Sequence, residues 1–192
     1  KYLEHLGGSR DEVGYFQLAG ERVQLNLGFG GEGFAQIDLK GAQRELGGNP
    51  SRVYLSFHPE MLKAQLPFII QSATKAGASA IKFFLGSEEN LIRPDRFIVG
   101  FNHPIKALEY AMFLQERFSK EGIVGDRVPF TYRIGPNQNS PVSFGKDINP
   151  PFEFNSWRGR VSDTIAEAIS KGNTSDKSVR AYLLRKGIDP DF

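Results

Sequence analysis

Apolar and polar positions alternate over the first forty residues, as at Tyr15 and Gln17 and then at Val23, Leu25 and Leu27, with glycine-rich breaks between the runs. A period of two predicts short antiparallel strands with one buried face. Ser51 to Phe57 is a further run rich in β-formers. At Pro59 the period changes: Met61, Leu62, Leu66, Ile69, Ile70 and Ala73 recur at helical spacing until Gly77, which predicts a helix opened by a proline and closed by a glycine. Pro67 inside it predicts a kink. A strand over Ala80 to Leu85, a polar connection and a strand over Arg96 to Phe101 follow. Pro104 then opens a helix whose Ile105, Leu108, Met112 and Phe118 are expected to share a face before Gly122 ends it. Residues 123 to 157 are proline-rich and weakly periodic, and read as a long ordered loop with one strand near Phe130 to Ile134. Long loops inside compact domains are often functional. Helices over Arg160 to Lys171 and Asp176 to Lys186, each followed by a glycine suited to a left-handed cap, close the chain. These elements predict an α+β fold: a single domain over residues 1–192, with a twisted, largely antiparallel sheet packed with about four helices.

Composition narrows the function classes. At 192 residues and 40% hydrophobic, the chain is long enough for one substantial core. A formal net charge of +2 supplies no whole-molecule field, so neither nucleic acid nor a membrane is an expected partner. No apolar run reaches membrane-spanning length, and the opening Lys1-Tyr2-Leu3-Glu4 is not the pattern of a signal peptide. The absence of cysteine excludes disulfides, zinc-thiolate sites and thiol catalysis. Three histidines without clustered ligands imply no metal, and no cofactor is expected.

Several motifs have a plain structural reading. Gly28-Phe29-Gly30-Gly31-Glu32-Gly33 resembles a phosphate-binding loop, but no helical pattern follows it and the Lys-Ser/Thr ending of a P-loop is missing, so a hairpin turn is expected. His58 and His103 each precede a proline at a helix start, where a partly exposed neighbour of the cap is expected rather than a ligand. Glu88-Glu89 reads as a solvated charge cluster in a polar connection. No Gly-x-Ser-x-Gly elbow is present.

The basic residues carry more. Arg52, Lys82, Arg93, Lys146 and Arg160 each lie on or beside a strand or helix terminus, which points to anionic ligands, phosphorylated ones among them. Lys82 shares one side of its strand with Phe84, opposite Ile81 and Phe83. A lysine in apolar company loses solvation, which lowers its pKa and suits it to act as a general base. The competing reading is a strand-edge lysine that guards against aggregation. For the arginines the competing reading is a surface charge or a structural ion pair.

Arg52-Val53-Tyr54 before a helix, Lys82 on the next strand, Arg93-Pro94-Asp95, Pro129-Phe130-Thr131, Ser143-Phe144-Gly145 and Arg160 before a terminal helix together resemble the HopA family of type III secreted effectors of plant-pathogenic bacteria. The likeness runs from Gly14-Tyr15-Phe16 to Gly187-Ile188-Asp189-Pro190. It implies virulence, with secretion into the host cell cytoplasm, a host phosphoprotein or immune component as partner, and a separate N-terminal segment, outside this sequence, for secretion and for a type III chaperone. More remotely, Ser51 to Lys146 is similar to the OspF/SpvC phosphothreonine lyases, which remove phosphate from a kinase activation loop by β-elimination. Lys82 would take the place of their catalytic lysine, with Arg52, Arg93, Lys146 and Arg160 as phosphate ligands. Their histidine acid falls at Tyr54 or Val53, with His58 four residues beyond, their arginine after the long loop falls near Gly145 or Lys146, and Ser143 lies beside it. Three functions are thus expected in turn: a phospho-Ser/Thr lyase, a non-catalytic binder of a host protein, and an ADP-ribosyltransferase with Arg52 on the nicotinamide cofactor.

Overall fold

The computed structural model describes residues 9–10, 16–18, 21–27, 33–39, 51–85, 95–126, 128–129, 131–135, 139–146 and 157–188. Among these, nine strands form one sheet: β1 (Ser9–Arg10), β2 (Phe16–Leu18), β3 (Glu21–Leu27), β4 (Gly33–Asp38), β5 (Ser51–Leu55), β6 (Ala80–Leu85), β7 (Phe97–Phe101), β8 (Tyr132–Arg133) and β9 (Val142–Lys146). Their order is β1-β2-β3-β4-β6-β7-β5-β9-β8, and every pair is antiparallel. Four helices accompany it: α1 (Pro59–Ala76), α2 (Pro104–Lys120), α3 (Trp157–Ser170) and α4 (Asp176–Arg185). The expected α+β architecture is therefore present.

Alternation along the central strands sorts the sheet into two faces. Val53, Leu55, Ile81, Phe83, Phe97, Val99 and Phe101 are buried on one, where they meet Leu62, Leu66, Ile69, Ile70 and Ala73 of α1 and Ala107, Tyr110, Ala111, Leu114 and Phe118 of α2. Stacked Phe83 and Phe97 and the edge-on pair Phe57–Phe118 fill its centre. α3 and α4 form a helical hairpin with a small core of its own, Val161, Leu183 and Ile188. α1 opens with Pro59, runs unbroken through Pro67 and ends at Gly77 with φ 78°, where the left-handed backbone lets the cap amide reach Ala73 and Thr74.

Two expectations are corrected. On α2, Phe118 does face the core, but Ile105, Leu108 and Met112 point to solvent, with Ile105 71% exposed. The buried face is instead built from Ala107, Tyr110, Ala111, Leu114 and Phe118, because alanines let the helix approach the sheet closely. Residues 142–146, read as loop, form β9, paired with β5 from Ser51–Lys146 to Leu55–Val142. The segment 28–32 and the pair Glu88-Glu89 lie outside the described residues. β3 and β4 on either side of the former pair antiparallel, as a hairpin requires.

Arg96, at the entry to β7, is buried and donates to the backbone carbonyls of Ser56 (Nη2, 2.7 Å) and Phe57 (Nε, 3.0 Å). These carbonyls lie between β5 and α1, where Ser56 O also takes a long backbone hydrogen bond from Asp126 N at 3.5 Å, so the guanidinium adds to what the backbone supplies.

Candidate functional site

Arg52, Tyr54, Lys82 and Ser143 fall by register on the sheet face turned away from α1 and α2. Register aligns them in rows, since directly opposed residues of neighbouring strands share a face. One row reads Gln36, Lys82, Ile98, Tyr54, Ser143 across β4, β6, β7, β5 and β9. The next reads Asp38, Ala80, Gly100, Arg52, Gly145. β6 is paired on both sides, by β4 and β7. Lys82 is therefore an interior residue of the sheet, which removes the reading of an edge lysine.

Arg52 and Lys82 are separated by one strand and two residues, about 12 Å between Cα atoms from strand spacing and rise. They line a common pocket of about 190 Å³ with Gln36, Ser51, Ser79, Ala80, Ile98, Gly100 and Phe101. Both cations are half-buried and engaged by interactions within the fold. At the rim, Gln36 Nε2 donates to Asp38 Oδ1 at 2.6 Å, which fixes a carboxylate one row away from Lys82. Ser79 closes the end of the pocket by donating both its amide and its hydroxyl to Gly100 O, at 2.8 and 3.1 Å. Two cations lining one pocket beside Gln36, Ser51 and Ser79, with the Asp38 carboxylate held one row away, suit an anion of phosphate size. A larger groove of about 690 Å³ runs along the outer side of α1, with Lys75 as the one cation among its described lining residues.

The other candidates are placed as follows. Tyr54 shares the row of Lys82 but is buried and lies against Gly145, where an added Cβ would come within 3.0 Å of its ring. Ser143, its neighbour in register, is buried, and its hydroxyl makes no hydrogen bond. The backbone of Lys146 is paired with Ser51, at the same end of the sheet as the pocket. Arg160 is half-buried in the first turns of α3 and is not among the residues lining the pocket. Arg93 lies outside the described residues. His58 is exposed at the start of α1, beyond the opposite end of β5 from Arg52, with Glu60 at 3.8 Å. Neither it nor His103 caps its helix through its side chain. Sequence reasoning passed over Gln36, Ser79 and Gly100. Their only signal was alternation along strands whose register had to be known first. Among the described residues, no group of three or more His, Asp or Glu side chains could hold a metal ion.

No protein-family model and no curated protein matches the sequence. Solved structures share the fold. The effector protein of Pseudomonas syringae pv. syringae strain 61 superposes with a TM-score of 0.56 at 17% identity, over 83% of this chain and 61% of that one. The effector of P. syringae pv. tomato strain DC3000 gives 0.51 at 15% identity, over the same shares. The Salmonella plasmid virulence C protein SpvC, a phosphothreonine lyase, gives 0.52 at 10% identity, over 81% and 82%. The chain thus spans 61% of the length of either Pseudomonas effector structure. Its fold is the one that these effectors and the lyase have in common.

Proposed function

We propose that this chain is a domain of a bacterial type III effector that binds a phosphorylated host protein and eliminates phosphate from a phosphoserine or phosphothreonine. The observation that carries this reading is the convergence of Arg52 and Lys82, from strands on either side of β7, on one pocket of the open sheet face. In the reaction, the Lys82 amine, once it has given its own proton to solvent, takes the Cα proton of the phosphoresidue. The Cβ–O bond breaks, its electron pair leaves with the phosphate, and a Cα=Cβ double bond forms. Arg52 suits the phosphate, since a guanidinium fork can hold two of its oxygens and the charge that grows on the leaving group. Lys146, Arg93 and Arg160 were the other expected phosphate ligands; by register Lys146 shares the row of Ser51 and Phe101 rather than that of Arg52, and Arg160 does not line the pocket, so the proposal rests on Arg52 and Lys82. Delivery into the host cytoplasm, chaperone binding by a separate N-terminal segment and an immune target belong to the same proposal.

Mass spectrometry of phosphothreonine peptides incubated with the domain and a chelator tests it. The expected product lacks the mass of phosphoric acid, and Lys82→Ala is expected to slow its formation about 10²–10⁴-fold, the usual contribution of a positioned base. A folded Lys82→Ala domain that forms it at the original rate would remove the lyase reading.

One observation favours a second reading, binding without turnover. Among the described residues that line the pocket there is no histidine, and His58 sits at the far end of β5. Unaltered peptides that nevertheless bind in an Arg52-dependent manner would establish it.

A further inference from the structure

Three glycines in or beside the strands stand against neighbours at very different distances. At Gly125 an added Cβ would fall 2.7 Å from Ser56 O, and at Gly145 it would fall 3.0 Å from the Tyr54 ring, so packing forbids or resists a side chain at both. At Gly100 the nearest atoms would be Ser79 Oγ at 3.4 Å and Ala80 O at 3.6 Å, which is ordinary contact. Nor does the backbone require glycine there, since Gly100 has an extended conformation within β7 and no positive φ. A glycine inside a strand weakens it, and one without a local reason often marks a place where a ligand or another backbone comes close.

The missing side chain at Gly100 would project into the pocket. It lies on the face of Arg52 and Ala80, its partners in register, and Lys82 stands one row away on β6. We infer that Gly100 is the floor of the pocket, kept bare so that the main chain of an extended phosphopeptide can rest against β7 while its phosphorylated side chain lies between Arg52 and Lys82. This inference rests on the phosphate reading of the pocket. It makes Gly100 a determinant of what carries the phosphate: a free anion needs only the two cations, whereas a phosphoresidue within a chain also needs the space above β7.

Gly100→Ala tests this. The variant is expected to keep the wild-type melting temperature or exceed it, because the methyl fits and alanine loses less chain entropy in the strand. Affinity for a phosphothreonine peptide, read by titration calorimetry, should fall at least about tenfold, as when a methyl is forced into filled space, while inorganic phosphate binds as before. Equal peptide affinity in variant and wild type would overturn the role of Gly100 alone. Equal loss of peptide and inorganic phosphate would overturn the main-chain contact in favour of simple closure of the anion site. A wild-type domain that binds neither probe would overturn the phosphate reading itself, a different result from the other two.

Discussion

At the scale of single residues, the same residue type serves opposite ends, and distance separates them. Gly125 is squeezed between Ser56, whose carbonyl oxygen and carbon would lie 2.7 and 2.8 Å from an added Cβ, and Pro141 Cβ at 2.9 Å. Backbone cannot yield as a flexible side chain does. Here the β5–α1 joint, the 123–126 segment and the approach to β9 meet: Ser56 N donates to Pro141 O at 2.9 Å, and Gly125 N donates to Asn139 O at 3.1 Å. Gly125→Ala is therefore expected to cost about 1–3 kcal/mol, the range for overpacking a tight site. A fall in the denaturant midpoint at constant slope would show it, and an unchanged midpoint would mean that the joint is loose. None of this was legible in the sequence, where Gly125, Gly100 and Gly145 look alike. Lys82 was legible in part, because Ile81, Lys82, Phe83 and Phe84 announce a strand with one mixed face.

At the scale of elements, local punctuation marked boundaries well and local hydrophobicity marked faces poorly. Pro59 and Gly77 bracket α1, and Ala80–Leu85 and Asp176 open and bound their elements where the pattern placed them. β9 was missed because Val142-Ser143-Phe144-Gly145-Lys146 holds two strong apolar residues, and its partner β5 lies far away in sequence. α2 was turned the wrong way because its buried alanines score lower than its exposed Ile105 and Met112. The α3–α4 hairpin depends on charge as well as its small core. Glu167 accepts from Lys171 at 2.5 Å and faces Lys186 at 3.3 Å, while Lys171 also donates to the Tyr182 hydroxyl at 2.9 Å. The hydrogen bond from Lys171, aided by Tyr182, lowers the Glu167 pKa from 4.5 to about 2. A depressed carboxyl pKa contributes stability that is fully present above 4.5 and is lost as the pH falls through about 2. Glu167→Gln should lower the melting temperature slightly at neutral pH, with the difference from wild type narrowing between those values and in high salt, because the pair is exposed to solvent. A difference that stayed constant across this range would assign the loss to packing instead.

At the scale of the whole molecule, the question is whether phosphate recognition belongs to a field or to a place. A formal net charge of +2 on 192 residues produces little long-range attraction for a polyanion, and 22 acidic residues are interspersed with the 24 basic ones. The sheet nevertheless concentrates charge: the register of β5, β7 and β6 brings Arg52 and Lys82, thirty positions apart in the chain, onto one pocket. Neither local pattern nor composition encodes that register, which is why the two lysine and arginine signals could be named in the sequence but their meeting could not. If the pocket alone recognises phosphate, duplex DNA, whose phosphates are diesters held on a stiff helix, has no means of presenting a terminal phosphoryl group to a recess of about 190 Å³. A fluorescent phosphothreonine peptide bound to the domain should then resist competition by DNA at equal phosphate concentration, yet yield to the unlabelled peptide. Its affinity should also fall only gently with salt, since about two cations take part rather than the six to ten phosphate contacts that make DNA binding steeply salt-dependent. Displacement by DNA with a steep salt slope would instead place recognition on a diffuse basic surface, and Arg52 and Lys82 would then be two contributors among many.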